Sequence, residues 1–189
     1  MEKQIYLCRH GQTEWNRDKR LQGQLDSPLT EQGRAQAAEL AAKAKDWALG
    51  LVVSSHLGRA RDTAAVCAET LGTEHKIYEG FCERNFGEWQ GQHTADLAAY
   101  QAFKAHRYTR PDLMPENGGE SANMVVARFT KEFEKLVSDE SATSIMIVSH
   151  GDAMACIAHS LGEGRTIDNC GGMLLGWKDG KLHWQRWID

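Results

Sequence analysis

Proline is scarce in this chain, with three in 189 residues, and two of them, Pro111 and Pro115, fall within one short stretch. So few breakers leave most of the chain free to form regular helices and strands. Cysteine is sparse too: Cys8, Cys67, Cys82, Cys156 and Cys170 are an odd number, widely spaced, with no C-x-x-C pair. That pattern argues against a disulfide-built scaffold and a structural zinc site, and fits reduced intracellular thiols, with Cys8 as core packing. No apolar run approaches membrane-spanning length, and the opening Met1-Glu2-Lys3-Gln4 has no signal-peptide core. A cytoplasmic protein with no membrane association is therefore expected. Positive charge is not in surplus either: 22 Lys and Arg stand against 26 Asp and Glu, net −4, which argues against a nucleic-acid partner. The cations are uneven, with ten against seven acids in residues 1–61 and twelve against nineteen beyond. Their enrichment in the first part suits a small anionic substrate held in a local pocket.

What is present is an ordinary globular composition, 41% hydrophobic and 25% charged, of a length that suits one domain over residues 1–189. The chain is organised around Ile5-Tyr6-Leu7-Cys8-Arg9-His10-Gly11-Gln12-Thr13-Glu14-Trp15-Asn16. Ile5 to Cys8 reads as a short buried strand that stops abruptly at a cation, an imidazole and a glycine. In open α/β sheets ligands bind at the carboxyl ends of strands. Arg9 offers a planar fork of donors, His10 a nucleophile, base or metal ligand, and Gly11 close backbone approach.

Residues 17–29 read as a polar loop. Thr30 is placed to cap a helix running to about Trp47, with Ala35, Ala38, Leu40, Ala41 and Ala44 on its inner face. Leu51 to Val53 is a second strand, ending at Ser54-Ser55, and Leu57 to Leu71 a helix with Ala60, Ala64, Val66, Cys67 and Leu71 inside, stopped by Gly72. A weaker strand, His75 to Tyr78, leads into the loop Phe81 to Gly91. Helical character follows over 94–107, a loop over 108–119, and an amphipathic helix over Ser121 to Val137 with Val125, Val126, Phe129, Phe133 and Leu136 inward. Ile145 to Val148 is the clearest central strand, ending at Ser149-His150-Gly151 before a helix to about Leu161. Met173 to Trp187 reads as a hairpin turning at Asp179-Gly180. Alternating strands and helices imply a three-layer α/β/α sandwich whose sheet is mostly parallel, with the hairpin as an antiparallel edge.

Three strands then end on one edge, at Arg9-His10-Gly11, at Ser54-Ser55 before Arg59, and at Ser149-His150-Gly151. With Glu83 from the loop after the weak strand, the edge gathers two histidines, two arginines and a carboxylate. Two arginines and a protonated histidine would cradle phosphoryl oxygens; a neutral histidine could attack phosphorus; a carboxyl could protonate the leaving group. On residue types alone other readings stand beside this one. His10 and His150 could ligate zinc, although the neighbouring arginines disfavour a dication. Arg59 could be a surface residue at a helix start, Arg61 an exposed helical one, and Glu83 a solvated loop carboxylate. His56, His75, His93, His106, His159 and His183 have no partner in the pattern and read as structural or surface.

Five ordered stretches resemble the histidine phosphatase superfamily, the phosphoglycerate-mutase-like proteins. Leu7 to Asn16 looks like the phosphohistidine motif, and Ser54 to Ala64 like the second-arginine motif, with His56 where an acid is usual. Glu83-Arg84-Asn85-Phe86-Gly87-Glu88-Trp89-Gln90-Gly91 is similar to the proton-donor segment, and Gly119-Glu120-Ser121 and Val148-Ser149-His150-Gly151 complete the set. Asn169-Cys170 resembles the start of a family edge strand, and Gln22 to Thr30 looks close to the branch of bacterial probable phosphoglycerate mutases and α-ribazole phosphatases. The resemblance implies a phosphorylated His10, a phosphoryl group bound by Arg9, Arg59 and His150 with Asn16 assisting, and Glu83 as acid and base. Thr13, Gln22, Gly23 and the Gly151 backbone would line the same pocket.

It also implies metal-independent hydrolysis of a small phosphorylated metabolite, with no cofactor. Only about thirty residues separate Asn85 from Gly119, whereas cofactor-dependent mutases carry a long insertion there. A short lid shields a phosphohistidine from water less well, so phosphatase is the first expectation, mutase the alternative and a non-catalytic phospholigand-binding module the third. Residues 92–118 are expected to cap the pocket and set specificity through Lys104, His106, Arg107, Tyr108 and Arg110. Trp177, Trp184 and Trp187 could pack internally or at an interface, so the sequence leaves the oligomeric state open.

Overall fold

A run such as Ile145-Met146-Ile147-Val148 has no polar face, and only a strand covered on both sides can carry it. The computed structural model, which describes residues 2–115 and 118–189, puts it in β4 (Ser144–Ser149), buried in all six residues. In chain order the elements are β1 (Lys3–Arg9), α1 (Glu14–Arg17), α2 (Glu31–Lys43), β2 (Leu51–Ser54), α3 (Gly58–Leu71), β3 (His75–Ile77), α4 (Ala98–His106), α5 (Ala122–Asp139), β4, α6 (Gly151–Ser160), β5 (Gly172–Lys178) and β6 (Lys181–Ile188). Short 3₁₀ turns lie at Ala44–Trp47, Glu79–Phe81, Gly87–Trp89 and Thr94–Asp96. The strands form one sheet in the order β3-β2-β4-β1-β5-β6, parallel through β1 and antiparallel beyond it.

The strand period of two divides the core. Ile5, Leu7, Leu51, Val53, Ile145 and Ile147 face α5 and α6, where Phe129, Phe133, Met154 and Ile157 meet them. Tyr6, Cys8, Val52, Met146 and Val148 face α2 and α3, against Leu40, Ala41, Ala60, Ala64 and Cys67. The expected three-layer α/β/α sandwich is what forms. A third cluster, Leu21, Phe86, Trp89, Leu97, Tyr100 and Phe103, sits apart from the sheet and seats α4 on the turn that follows Glu83. Glu116 and Asn117, within the expected cap segment, lie outside the described residues.

The caps act as read: Thr30 accepts from Gly33 N at 3.0 Å, and Gly72 ends α3 at φ +65°. Asp179 and Gly180 both take positive φ, the hairpin turn that matches strand twist. Trp177 is buried in the core, and Trp184 and Trp187 pack against it edge to face, 4.6 Å apart.

Two expectations need correction. The loop expected over 17–29 begins after Arg17, because residues 14–17 form a helical turn closed by a reciprocal cap in which Thr13 Oγ1 takes the Asn16 N–H and Asn16 Oδ1 takes the Thr13 N–H. The inner face of α2 is Gly33, Ala37, Leu40 and Ala41, while Ala35 and Ala38 are exposed. Gly33 is the reason. Its backbone crosses that of Gly11 and Gln12 so closely that a Cβ on Gly33 would land on the Gln12 carbonyl, which fixes the rotation of the helix. Small size at Gly33, not the spacing of alanines, decides which side is buried.

Gly33→Ala is therefore expected to destabilise the fold. Ala improves helix propensity by up to about 1 kcal/mol, but overpacking against backbone costs about 1–3 kcal/mol and has no flexible side chain to yield. Urea unfolding would show a lowered midpoint; an unchanged or raised one would refute the crossing.

Candidate active site

Register brings the strand ends level. Arg9 pairs with Ser149 and Ser54 with Val148, so His10, Ser55 and His150 emerge together at one sheet edge. The His10 and His150 rings lie 5.2 Å apart, both essentially buried.

Hydrogen bonds set the state of each ring. His10 Nδ1 lies 2.7 Å from the Gly11 carbonyl, which can only accept, so Nδ1 carries the proton and Nε2 presents a lone pair. Arg59 Nε donates toward that lone pair at 3.3 Å. His150 Nε2 meets Ser55 Oγ at 2.7 Å, and Ser55 Oγ already accepts from Leu57 N. Ser55 Oγ can donate to Nε2 or accept from it, and His150 Nδ1 is buried with no partner among the described residues. Burial first, then the Arg59 and Arg9 cations, hold His10 well below its ordinary pKa. Burial, Arg59 and His10 do the same to His150. The protonated histidine expected of the phosphoryl cradle is therefore favoured as neutral in the free protein, because it is buried and arginines already occupy its surroundings.

The cations are equally constrained. Arg59, 1% exposed, is no surface residue: Nη1 donates to Leu25 O at 2.7 Å and Asp26 Oδ1 at 3.1 Å, and Nη2 to Gly23 O at 2.7 Å. Gly23 sits at φ +54°, and a side chain there would strike Gln90. Arg9 is tethered by Nη1 to Ile167 O at 2.7 Å, while its buried Nε has no protein partner. Gly151 lies directly against that guanidinium, where a Cβ would come within 3.0 Å.

Two amides complete the floor. Asn16 Oδ1 is taken by Thr13 N, and Gln22 Oε1 accepts from Thr13 Oγ1 at 3.0 Å. With their oxygens engaged, both side chains keep N–H groups for an anion, and both line a pocket of about 450 Å³ with Arg9 and His10.

Glu83 is not a solvated loop carboxylate. It is buried against the start of α6, where Oε1 accepts from Arg84 N and Ala153 N at 2.8 Å and Oε2 from Asp152 N at 3.2 Å. Helix-terminal N–H groups favour the anion, yet burial, reinforced by the Asp152 charge, raises its pKa above the usual carboxyl value. Its loop is clamped from α5. Arg128 donates to the carbonyls of Gly80, Cys82 and Glu83 while gripping Glu120 with two nitrogens, and Glu120 accepts from Asn85 N at 2.9 Å. The Gly119-Glu120-Ser121 stretch thus builds the site without entering it.

Beyond the floor, α4 and the residues after it form one wall, carrying Tyr100, Lys104, Arg107 and Tyr108; Lys19, Arg20 and Arg165 add further cations. Against them, among the described residues, the lining holds two acids, Glu83 and Asp152.

Residues 5–189 match the family model of the histidine phosphatase superfamily (branch 1). The chain belongs to that superfamily. It is 32% identical over 161 residues to the probable phosphoglycerate mutase GpmB of Escherichia coli, spanning 84% of this chain and 74% of the relative. It superposes on a mycobacterial glucosyl-3-phosphoglycerate phosphatase solved with VO3 at TM-score 0.86, 29% identical over 97% of each chain. The α-ribazole phosphatase of Shigella flexneri gives TM-score 0.80 at 25% identity, with 98% and 96% covered.

In this member of the superfamily the structure brings together His10, Arg9, Arg59, His150, Glu83, Thr13, Asn16, Gln22, Gly23 and Gly151. Lys104, Arg107 and Tyr108 face the pocket, but His106 and Arg110 are exposed and do not line it. His56 is exposed, whereas His75 bonds Ser54, His93 meets Arg20 and His159 stacks on Tyr108. Sequence reasoning passed over Asp26, Ser55, Asp152 and Asn169. Asn169 Nδ2 donates to His10 O at 3.0 Å, and Asp26 pairs with Arg59 while accepting from the first N–H groups of α3. The strand-end position of Ser55 and the resemblance at Asn169-Cys170 were signals; Asp26 on a loop and Asp152 in the first turn of α6 are recruited by the fold.

Two buried neutral histidines make stability depend on pH. Unfolded, each takes up a proton below its ordinary value of 6.5; folded, each resists until lower pH. The unfolded state then binds more protons, so stability is full above 6.5 and falls as pH drops through it, by up to about 1.4 kcal/mol per unit for each histidine. Denaturant unfolding between pH 7.5 and pH 5.5 (a range of about 2 units around the ordinary value) reads this slope, and His150→Asn should shrink it. A flat profile in the wild type would contradict the buried neutral state.

Proposed function

We propose that this protein is a phosphomonoesterase that hydrolyses a small phosphorylated metabolite through a phosphohistidine on His10. One observation carries the reading. His10, whose Nε2 lone pair meets Arg59 Nε, lines one pocket with Arg9, Asn16 and Gln22, and the buried Arg9 Nε there has no partner among the described residues.

His10 Nε2 attacks phosphorus, the ester P–O bond breaks, and protonated Glu83 gives its proton to the departing alkoxide. The raised pKa of Glu83 keeps that proton available. Arg9, Arg59, His150 and Asn16 hold the three phosphoryl oxygens as charge shifts among them. In the second half Glu83, now a carboxylate, takes a proton from water; the oxygen attacks phosphorus, the P–N bond breaks, and inorganic phosphate leaves with His10 restored. Every charge on the transferring group is met by a side chain, so neither metal nor cofactor is required. Thr13 orients Gln22, Gly23 lets the loop reach Arg59, and Gly151 lets α6 sit against Arg9. Residues 92–118 serve as the substrate cap of a single domain. Unpaired thiols and the lack, among the described residues, of any helix able to cross a membrane support a cytoplasmic setting. The name of the Escherichia coli relative keeps phosphoglycerate transfer as the second reading.

Phosphate release from an aryl phosphate in EDTA tests the proposal. We expect turnover in the wild type and a loss of at least about 1,000-fold in His10→Ala, which removes the nucleophile. Absence of release, with isomerisation of phosphoglycerates on adding 2,3-bisphosphoglycerate, would transfer the assignment to the mutase. Glu83→Gln should slow alkyl phosphates about 100-fold or more and aryl phosphates far less, since an aryl oxide leaves without a proton. Equal losses on both would remove Glu83 from the role of acid.

A further inference from the structure

Asp152 has no place in the reaction above, yet it is the best-connected acid of the pocket. It occupies the first turn of α6, 11% exposed, directly after Gly151. Its main-chain N–H donates to Glu83 Oε2 at 3.2 Å. Its carboxylate reaches the other way: Oδ2 accepts from Arg107 Nε at 2.8 Å and Oδ1 from Arg84 Nη1 at 3.5 Å.

Both arginines belong to the structure that carries the wall. Arg84, wholly buried, lies over the Phe103 ring of α4 at 4.7 Å and donates to Glu120 O at 2.7 Å and Leu113 O at 3.3 Å. Arg107 follows α4, donates to Lys104 O at 2.8 Å and covers the Tyr108 ring at 4.4 Å; that ring stacks on His159 of α6. One residue of α6 therefore touches both parts, the α4 wall through its carboxylate and Glu83 through its main-chain N–H.

We propose that Asp152 is a positioning residue that couples the α4 wall to Glu83: the Arg107–Asp152 ion pair sets the field in which Glu83 holds its proton while it fixes Arg107 in the pocket. The inference rests on the phosphatase reading for its catalytic meaning. The charges around Glu83 define what Asp152 contributes. Arg9 of β1, Arg59 of α3 and Arg128 of α5 stabilise its anion, as do the N–H groups of Arg84 and Ala153; Tyr100 of α4 and Cys82 beside it are uncharged neighbours. Asp152 is the negative neighbour that opposes them, second only to burial. Arg107 tempers Asp152. Removing Asp152 should release the Glu83 proton more readily, and removing Arg107 should bind it more firmly. Opposite shifts from the two ends of one ion pair are a signature that general damage to the wall does not produce.

The test is a titration of the Glu83 side-chain carboxyl by 13C NMR in the wild type, Asp152→Asn and Arg107→Gln, which needs no turnover. The expected result is a midpoint lowered by about one unit in the first variant and raised in the second. Kinetics then follow: the alkaline limb of kcat on an alkyl phosphate moves in the same directions. Asp152→Asn loses about tenfold in kcat on that substrate at alkaline pH and much less on an aryl phosphate. Arg107→Gln also raises KM, because it takes a cation from the wall. Shifts of the same sign, or no shift in either variant with folding intact by circular dichroism, would overturn the coupling while leaving the phosphatase reading untouched. Opposite NMR shifts in a protein that releases no phosphate would retain the coupling and overturn that reading instead.

Discussion

A guanidinium 1% exposed to solvent has to be met by protein on every side, and the way Arg59 is met organises this molecule. Removing a cation from water costs several kcal/mol unless its hydrogen bonds are replaced. Arg59 obtains them from the Gly23 and Leu25 carbonyls, from Asp26 and from the lone pair of His10. That requirement draws the polar segment 20–29 across the sheet edge, and with it Gln22, onto the same floor as His10. Asp26 serves twice, since it also accepts from the opening N–H groups of α3, the helix that presents Arg59. A loop without regular structure is thereby made rigid at the place where geometry matters most.

The second constraint is electrostatic. Burial first, and Arg59 and Arg9 after it, hold both imidazoles well below their ordinary pKa and favour their neutral form in the free protein. In the proposed reaction, neutrality is what a nucleophilic Nε2 needs, so burial and the arginines would prepare the attacking group as well as an anion site. The Arg9 guanidinium remains incompletely answered by protein, because its buried Nε has no partner among the described residues. A phosphoryl dianion is the complement of that surplus, and binding it would relieve an unfavourable concentration of positive charge rather than create a new contact on a neutral surface.

The first turn of α6 is where the remaining parts meet. His150 caps it, Gly151 admits Arg9, Ala153 and Asp152 present N–H groups to Glu83, and the Asp152 side chain receives Arg84 and Arg107. Three hydrogen bonds from Arg128 of α5 to carbonyls of the Glu83 loop, and one from Asn85 N to the Glu120 carboxylate that Arg128 grips, hold that loop in place. Precision at Glu83 thus comes from two helices, although the residue itself lies on a loop.

Much of this is legible in the amino-acid sequence. Apolar runs ending in Arg-His-Gly, Ser-Ser and Ser-His-Gly determine, by themselves, buried parallel strands whose polar ends share an edge, because an unbroken apolar run tolerates no solvent face. The caps at Thr30, Ser121 and Gly72 and the turn at Asp179-Gly180 are equally local, set by side-chain oxygens and by φ. What tertiary structure alone decided were the properties of neighbours remote in the chain. The face of α2 followed from the contact of Gly33 with Gln12, which no alanine spacing encodes. The neutral state of His150 followed from burial beside Arg59, where residue types alone suggested a cation. Asp152, Asp26 and Asn169 became parts of the site only because folding brought them to Arg107, Arg59 and the His10 carbonyl. Local sequence specifies conformations and which residues can do chemistry. Charge state and positioning are sums over whatever the fold packs alongside, and those sums do not exist until the chain has closed.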